Sequence, residues 1–209
     1  LYLACYAATF SAGYVYEDER WLRQAQSGEV LPPLRVVPAP RSLSPYTYAI
    51  SHEPAVQHGL SVLLGLLVAA FTGAWLRLCG LSVGAALFGY GLMLLHPMQV
   101  ETVAYVASRP ELLAAALAMA ACAVAARGRP ESAVLASLLA IWAGAGRESG
   151  LLACLFVPAV LAAQRRWITA AAVTALLAGV GAAVYGTHVE ALLAWGRHVP
   201  APLGSAGGN

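Results

Sequence analysis

HPMQVETVAYVASRPELL, residues 96–113, is the stretch whose reading decides the fold. It lies between two long apolar runs, yet it carries His96, Glu101, Arg109 and Glu111. A residue that precedes proline is biased away from helical backbone, so Pro97 and Pro110 punctuate the chain at His96 and Arg109. The residues between the two prolines predict a short helix with Pro97 in its first turn, where a missing N–H leaves no bond unmade. Steps of three and four put Glu101, Thr102, Tyr105, Ser108 and Arg109 on one face. Val100, Val103, Ala104, Val106 and Ala107 share the other. This is the pattern of an interfacial helix, its apolar side in the membrane boundary and its polar side toward water or a site, and a surface connector is the plainer reading of the same residues.

Outward from this stretch the chain is dominated by apolar residues. It is 60% hydrophobic and 11% charged, whereas a soluble domain carries roughly 25% charged residues. Mean hydropathy is +0.69. Lysine is absent, and all 12 basic residues are arginine. The composition predicts an all-α integral membrane protein. No basic tract points to nucleic acid. Cys5, Cys79, Cys122 and Cys154 fall in or beside apolar runs without metal-ligand spacing and read as small packing residues. The first residue, Leu1, already sits in an apolar run, and the chain closes on APLGSAGGN, so both ends are expected to be cut from something longer.

In order, residues 1–13 read as the end of a first span. Residues 14–56 form a first loop far longer than the usual connection of about 4–6 residues. That loop holds three consecutive acids, Glu17, Asp18 and Glu19, then a proline-rich segment, and it is expected to carry short interfacial helices. Residues 57–77, 81–95, 110–126 and 167–186 read as spans. Residues 132–145 and 149–164 are short for a hydrocarbon core of about 30 Å, and read either as spans or as a re-entrant pair. The whole is a bundle of about seven spans over residues 1–186, with residues 187–209 as an extracytoplasmic tail.

Charge orients the bundle. If the loops alternate sides, one side receives Arg77, Arg127, Arg129, Arg165 and Arg166 in short loops, with Glu131 as its only acid. Short arginine-rich loops are cytoplasmic. The other nine acids, the long first loop and residues 96–113 then lie outside. Ionisable residues gathered at one face of a bundle predict a site there.

Several groups there are chemically competent. Glu17 and Asp18 directly follow a span, where a neighbouring like charge and burial raise a carboxyl pKa and suit a general base. A solvated acidic loop is the plainer reading of the same residues. Arg147 and Glu148 sit between two apolar runs, where neither is cheap to place unless paired or wet. The plainer reading there is an exposed hairpin tip. The histidines lack metalloprotease spacing, and no HExxH, GxSG or P-loop occurs.

These blocks, in this order, resemble the membrane part of the GT-C glycosyltransferases. The closest likeness is to the transmembrane O-mannosyltransferases with tetratricopeptide repeats and their bacterial relatives. The Val-Tyr-Asp-Asp segment of that family reads here Val15, Tyr16, Glu17, Asp18. Its Arg-Pro-Leu reads Arg41, Ser42, Leu43, without the proline. Its His-Pro block reads His96, Pro97, Glu101, Val103, Arg109, followed by Leu112 and Leu113. Its Lys-Glu reads Arg147, Glu148. A family histidine matches His58, while the Asn and His that follow it in the family are replaced by Ser61 and Gly65.

The resemblance implies a multispan inverting glycosyltransferase in a plasma membrane, the inner membrane of a bacterial cell, with its active site on the extracytoplasmic side. It implies transfer of mannose or a similar hexose from a polyprenyl-phosphate donor to a hydroxyl on a protein, lipid or glycan. By the same implication Asp18 or Glu17 is the catalytic base, and Arg109, Arg147 and Arg41 face the donor phosphate. His96, Glu101, Glu148, Tyr105 and His58 support them, with a divalent cation left open. The alternatives are a non-catalytic membrane subunit of the same fold or a small-molecule or lipid transporter. Transporters usually show internal repeats and polar residues near the midplane. Here no repeat is visible and the charges sit at one face, which favours the transferase.

Overall fold

Proline opens most of the helices. The computed structural model describes residues 6–14, 23 and 42–198, and among them every regular element is helical. Pro45 lies in the first turn of α1 (Ser44–Tyr48), Pro54 begins α2 (Pro54–Leu78) and Pro97 begins α4 (Pro97–Ala104). Pro110 lies in the first turn of α5 (Arg109–Ala125), and Pro130 begins α6 (Pro130–Gly146). At these positions the ring presets φ, and the lost N–H is one that no preceding carbonyl could serve. The exceptions are α3 (Val83–Leu95), α7 (Ala153–Ala163) and α8 (Trp167–His198). In α3 the Ser82 hydroxyl caps the start by accepting from Ala85 N at 3.2 Å.

From α2 onward the chain runs back and forth between two ends. At one end the turns after α5 and α7 are tied together, because Gln164 Nε2 donates to the Ala126 carbonyl at 2.7 Å. This end carries Arg127, Arg129, Arg165 and Arg166. At the other end the last turn of α6 meets the first turn of α5 through Arg147 and Glu111. Helix α6 therefore travels the whole length of α5, and α7 travels back. The short apolar stretches expected over 132–145 and 149–164 are thus two helical stretches that run in opposite directions, α6 over Pro130–Gly146 and α7 over Ala153–Ala163 after a 3₁₀ turn.

Small side chains allow this close approach. Ala118, Ala121 and Ala125 of α5 share a core with Ala133, Ala136, Ala140 and Ala143 of α6. Val157 and Leu161 of α7 and Val173 and Leu177 of α8 complete that core. A Cβ on Gly146 would stand 3.0 Å from Ala114 N, and one on Gly150 would run into the Ala143 carbonyl. A second core joins Tyr6, Val62 and Ala69 of α2, Leu94 of α3, Val103 of α4 and Leu112 of α5.

Three local expectations change. Residues 7–11 form a 3₁₀ turn (Ala7–Ser11) rather than α-helix, with Thr9 and Ser11 hydroxyls donating to carbonyls three residues back. The helix expected between Pro97 and Pro110 stops at Ala104. Tyr105 is extended (φ −92°, ψ 111°), and a separate 3₁₀ turn follows at Val106–Ser108. The break separates the predicted polar face, leaving Glu101 exposed and Arg109 turned into the core. At the far end α8 continues through residue 198 instead of stopping near 186, about 48 Å in all.

By length and composition, Pro54–Leu78 and Val106–Ala125 are long and apolar enough to cross a membrane. Val83–Leu95, Pro130–Gly146, Glu148–Ala163 and Trp167–Ala183 are shorter apolar helical stretches. Large apolar side chains point outward from several of them, among them Phe88 (73% exposed), Leu155 and Ile168 (88%).

Candidate functional site

The end of the bundle away from the arginine turns is built around Arg109. Helix α5 starts there because Pro110 and Glu111 suit a first helical turn. Arg109, at its first position, is fully buried. A buried guanidinium needs acceptors for its donors, and here they come from two elements, α1 and α2. Nε donates to Ser61 Oγ (3.3 Å), and Nη2 to the Gln57 carbonyl (2.7 Å). Nη1 donates to the Thr47 carbonyl (3.0 Å) and to Gln57 Oε1. The Tyr48 ring lies under the cation, 5.0 Å from its centroid to Cζ.

Around this centre the first loop is fastened to the bundle. Gln57 Nε2 donates to the Tyr48 carbonyl at 3.0 Å and to that of Ser51. The Tyr48 hydroxyl reaches the Val106 and Ala107 carbonyls, both at 3.3 Å. Leu43 N donates to the Ala145 carbonyl (3.2 Å) and Ser44 Oγ to that of Gly146 (3.1 Å). Those two bonds satisfy carbonyls of the last turn of α6, which has no further residues of its own to serve them. Tyr14 adds a bond from its hydroxyl to the His52 carbonyl, 2.7 Å.

Beside this buried cluster is a more open ion pair. Arg147 Nη1 donates to Glu111 Oε1, and the two side chains are 40% and 34% exposed. The pairing follows from backbone geometry. Arg147 is extended (φ −157°, ψ 158°) between α6 and the 3₁₀ turn Glu148–Leu152, and it turns toward the first turn of α5. The second oxygen of Glu111, Oε2, is enclosed and accepts no hydrogen bond among the described residues.

The other predicted residues are distributed as follows. His96 is exposed at the end of α3, Glu101 is exposed on α4, and Glu148 is exposed at the start of its 3₁₀ turn. Tyr105 is partly buried at the break between α4 and the next turn. His58 is buried beside Gln57 in the first turns of α2. Glu17, Asp18 and Arg41 lie outside the described residues. No group of three His, Cys, Asp or Glu side chains stands within reach of one metal ion among the described residues.

Sequence reading placed Arg109 at the donor phosphate. In the structure it is buried and bonded to Gln57, Ser61 and Thr47, so that it links α1, α2 and α5. Gln57, Ser61, Tyr48 and Glu111 were not picked out as working residues. A signal was present for two of them: Gln57 and Ser61 are four apart on one face at the start of an apolar span, where polar groups demand a partner. No family model matches the sequence, and no curated protein or solved structure is significantly similar to it.

Proposed function

We propose that this chain is the membrane part of an inverting GT-C-type glycosyltransferase, a bundle of about seven spans, working at the extracytoplasmic face. Its donor is a polyprenyl-phosphate hexose, mannose or a similar sugar, and its acceptor is a hydroxyl. The supporting observation is that blocks far apart in sequence meet at one end of the helices. Residues 42–48, Gln57, Arg109, Glu111 and Arg147 all take part in that meeting. The opposite end carries the short arginine turns.

In this scheme a carboxylate of the first loop, Asp18 or Glu17, takes the proton of the acceptor hydroxyl. The hydroxyl oxygen attacks the anomeric carbon, the bond from that carbon to the phosphate oxygen breaks, and the configuration inverts. Arg147 receives the negative charge of the departing lipid phosphate. It is half open and paired to a carboxylate that it can exchange for phosphate, and guanidinium matches phosphate geometry. Arg109 holds residues 44–48 of the loop against α2 and α5. Arg41, His96, Glu101, Tyr105, Glu148 and His58 remain supporting residues on the resemblance.

The test is transfer of labelled sugar from a polyprenyl-phosphate donor in membranes containing the protein. Loss of a general base typically lowers a rate by ~10²–10⁴. Asp18→Asn combined with Glu17→Gln should therefore abolish most transfer while donor binding persists. Undiminished transfer in that double variant would end this mechanism and leave a transporter or a non-catalytic subunit.

A further inference from the structure

The arginine end of the bundle has a construction of its own. Two of its turns, residues 126–129 and 164–166, are clasped by the Gln164 bond to Ala126. The clasp is close, since a Cβ on Gly128 would stand 3.5 Å from Gln164 Oε1. Arg127, Arg129 and Arg165 are exposed on these turns. Arg166 is partly buried and its Nη1 is enclosed without an acceptor among the described residues. A buried donor with no acceptor is uncommon and marks a place where a ligand oxygen is welcome. Arg165 takes left-handed backbone (φ 60°), which turns the chain sharply between α7 and α8. Directly after these arginines, Trp167 is 66% exposed and Ile168 88% exposed at the start of α8. An indole at the edge of an apolar surface is the usual sign of headgroup depth. The only acid in these turns and their flanking residues is Glu131, in the first turn of α6.

We propose that this end is a binding site for an anionic phospholipid headgroup. Arg127, Arg129, Arg165 and Arg166 receive the phosphate, and Trp167 and Ile168 lie against the upper acyl chain. Arginine alone supplies the positive charge, which favours a planar, two-pronged grip on phosphate oxygens over diffuse attraction. Because the exposed apolar Trp167 and Ile168 directly follow the arginines, a lipid is the source of the phosphate and not a soluble ion. The inference depends on the membrane reading but not on glycosyl transfer. Loss of lipid selectivity and loss of transfer would therefore be separate results.

The experiment uses the whole chain in phosphatidylcholine vesicles with a fixed fraction of phosphatidylglycerol. Either lipid carries brominated acyl chains that quench nearby tryptophan. The difference between the protein and Trp167→Phe isolates the Trp167 signal. Brominated phosphatidylglycerol should quench Trp167 more than brominated phosphatidylcholine at equal fraction, with each arginine contributing about two- to fivefold in preference. Replacing all four arginines with glutamine should bring the ratio to one, whereas four lysines should retain part of it. Should the glutamine variant fail to fold, Arg127→Gln with Arg129→Gln, both on exposed turn positions, carries the same test with a smaller drop. Inorganic phosphate at millimolar concentration should leave the ratio unchanged. Equal quenching by the two lipids, an unchanged ratio in the glutamine variants, or full displacement by inorganic phosphate would each overturn the proposal.

Discussion

Arg147 and Glu111, 36 residues apart, form an ion pair that joins the end of α6 to the first turn of α5. It differs in kind from the Arg109 cluster beside it. Arg109 is enclosed by neutral acceptors and an aromatic ring, so its removal would strand them. The Arg147 pair is about one-third exposed, and solvent can replace either partner. The two arginines that sequence reading grouped as equals are thus suited to different work.

This contrast predicts that Glu111→Gln changes stability little. A pair as exposed as this is worth about 0–1 kcal/mol, so thermal unfolding in detergent should barely move. Arg147→Gln should be equally mild for stability but should lower affinity for the polyprenyl-phosphate donor by about tenfold or more, since a charged hydrogen bond is lost. A large drop in thermal stability with unchanged donor affinity would make Arg147 a structural residue only.

Arg109 should behave in the opposite way. Its loss leaves Gln57, Ser61 and the Thr47 carbonyl without donors in a buried place, at a cost of about 3 kcal/mol or more. Arg109→Lys should recover little, because one ammonium cannot reach acceptors spread around a planar fork. Thermal unfolding of both variants checks this. Tyr48→Phe should be milder, losing the bonds to Val106 and Ala107 while keeping the ring under the cation. A lysine variant as stable as the parent would refute the clasp.

Gly150→Ala should destabilise the end where α6 meets its 3₁₀ turn. The added methyl has the Ala143 carbonyl in its way, and backbone cannot step aside as a side chain can. Overpacking of this kind costs typically about 1–3 kcal/mol. Because residues 143–150 also position Arg147, the melting temperature and donor affinity should fall together.

Topology can be read by cysteine labelling from outside with a membrane-impermeant maleimide, in a background without native cysteines. Glu101→Cys and Arg127→Cys, both at exposed positions, should report opposite sides, with Glu101→Cys labelled. In the native chain Cys79 is an independent reporter. It lies just past α2 with its thiol pKa raised by desolvation, so at neutral pH little thiolate is present. In opened membranes its labelling should be slow near neutrality and should accelerate as pH rises through that raised value. Equal labelling of Glu101→Cys and Arg127→Cys in sealed cells would contradict the arrangement of the two ends.

The sequence by itself determined the helical class, the start of α4 at Pro97 and the charge difference between the two ends. Those are local or additive properties: proline at a first turn acts through its own ring, and arginine in a short turn counts wherever that turn lies. It also marked Arg109 and Arg147 as residues that need partners, because charge in apolar surroundings is costly. Only the tertiary structure decided who those partners are. Gln57 and Thr47 are 52 and 62 residues from Arg109. Which acceptor meets a guanidinium across a helix contact depends on the rotation and register of both helices. Here those are set by how closely Gly146 and Gly150 let α6 approach α5 and its own following turn. The same cause explains the interruption at Tyr105. Periodicity alone continues the helix from Pro97 to Arg109, but burial of Val103, Val106 and Arg109 together requires the chain to break and turn Arg109 inward.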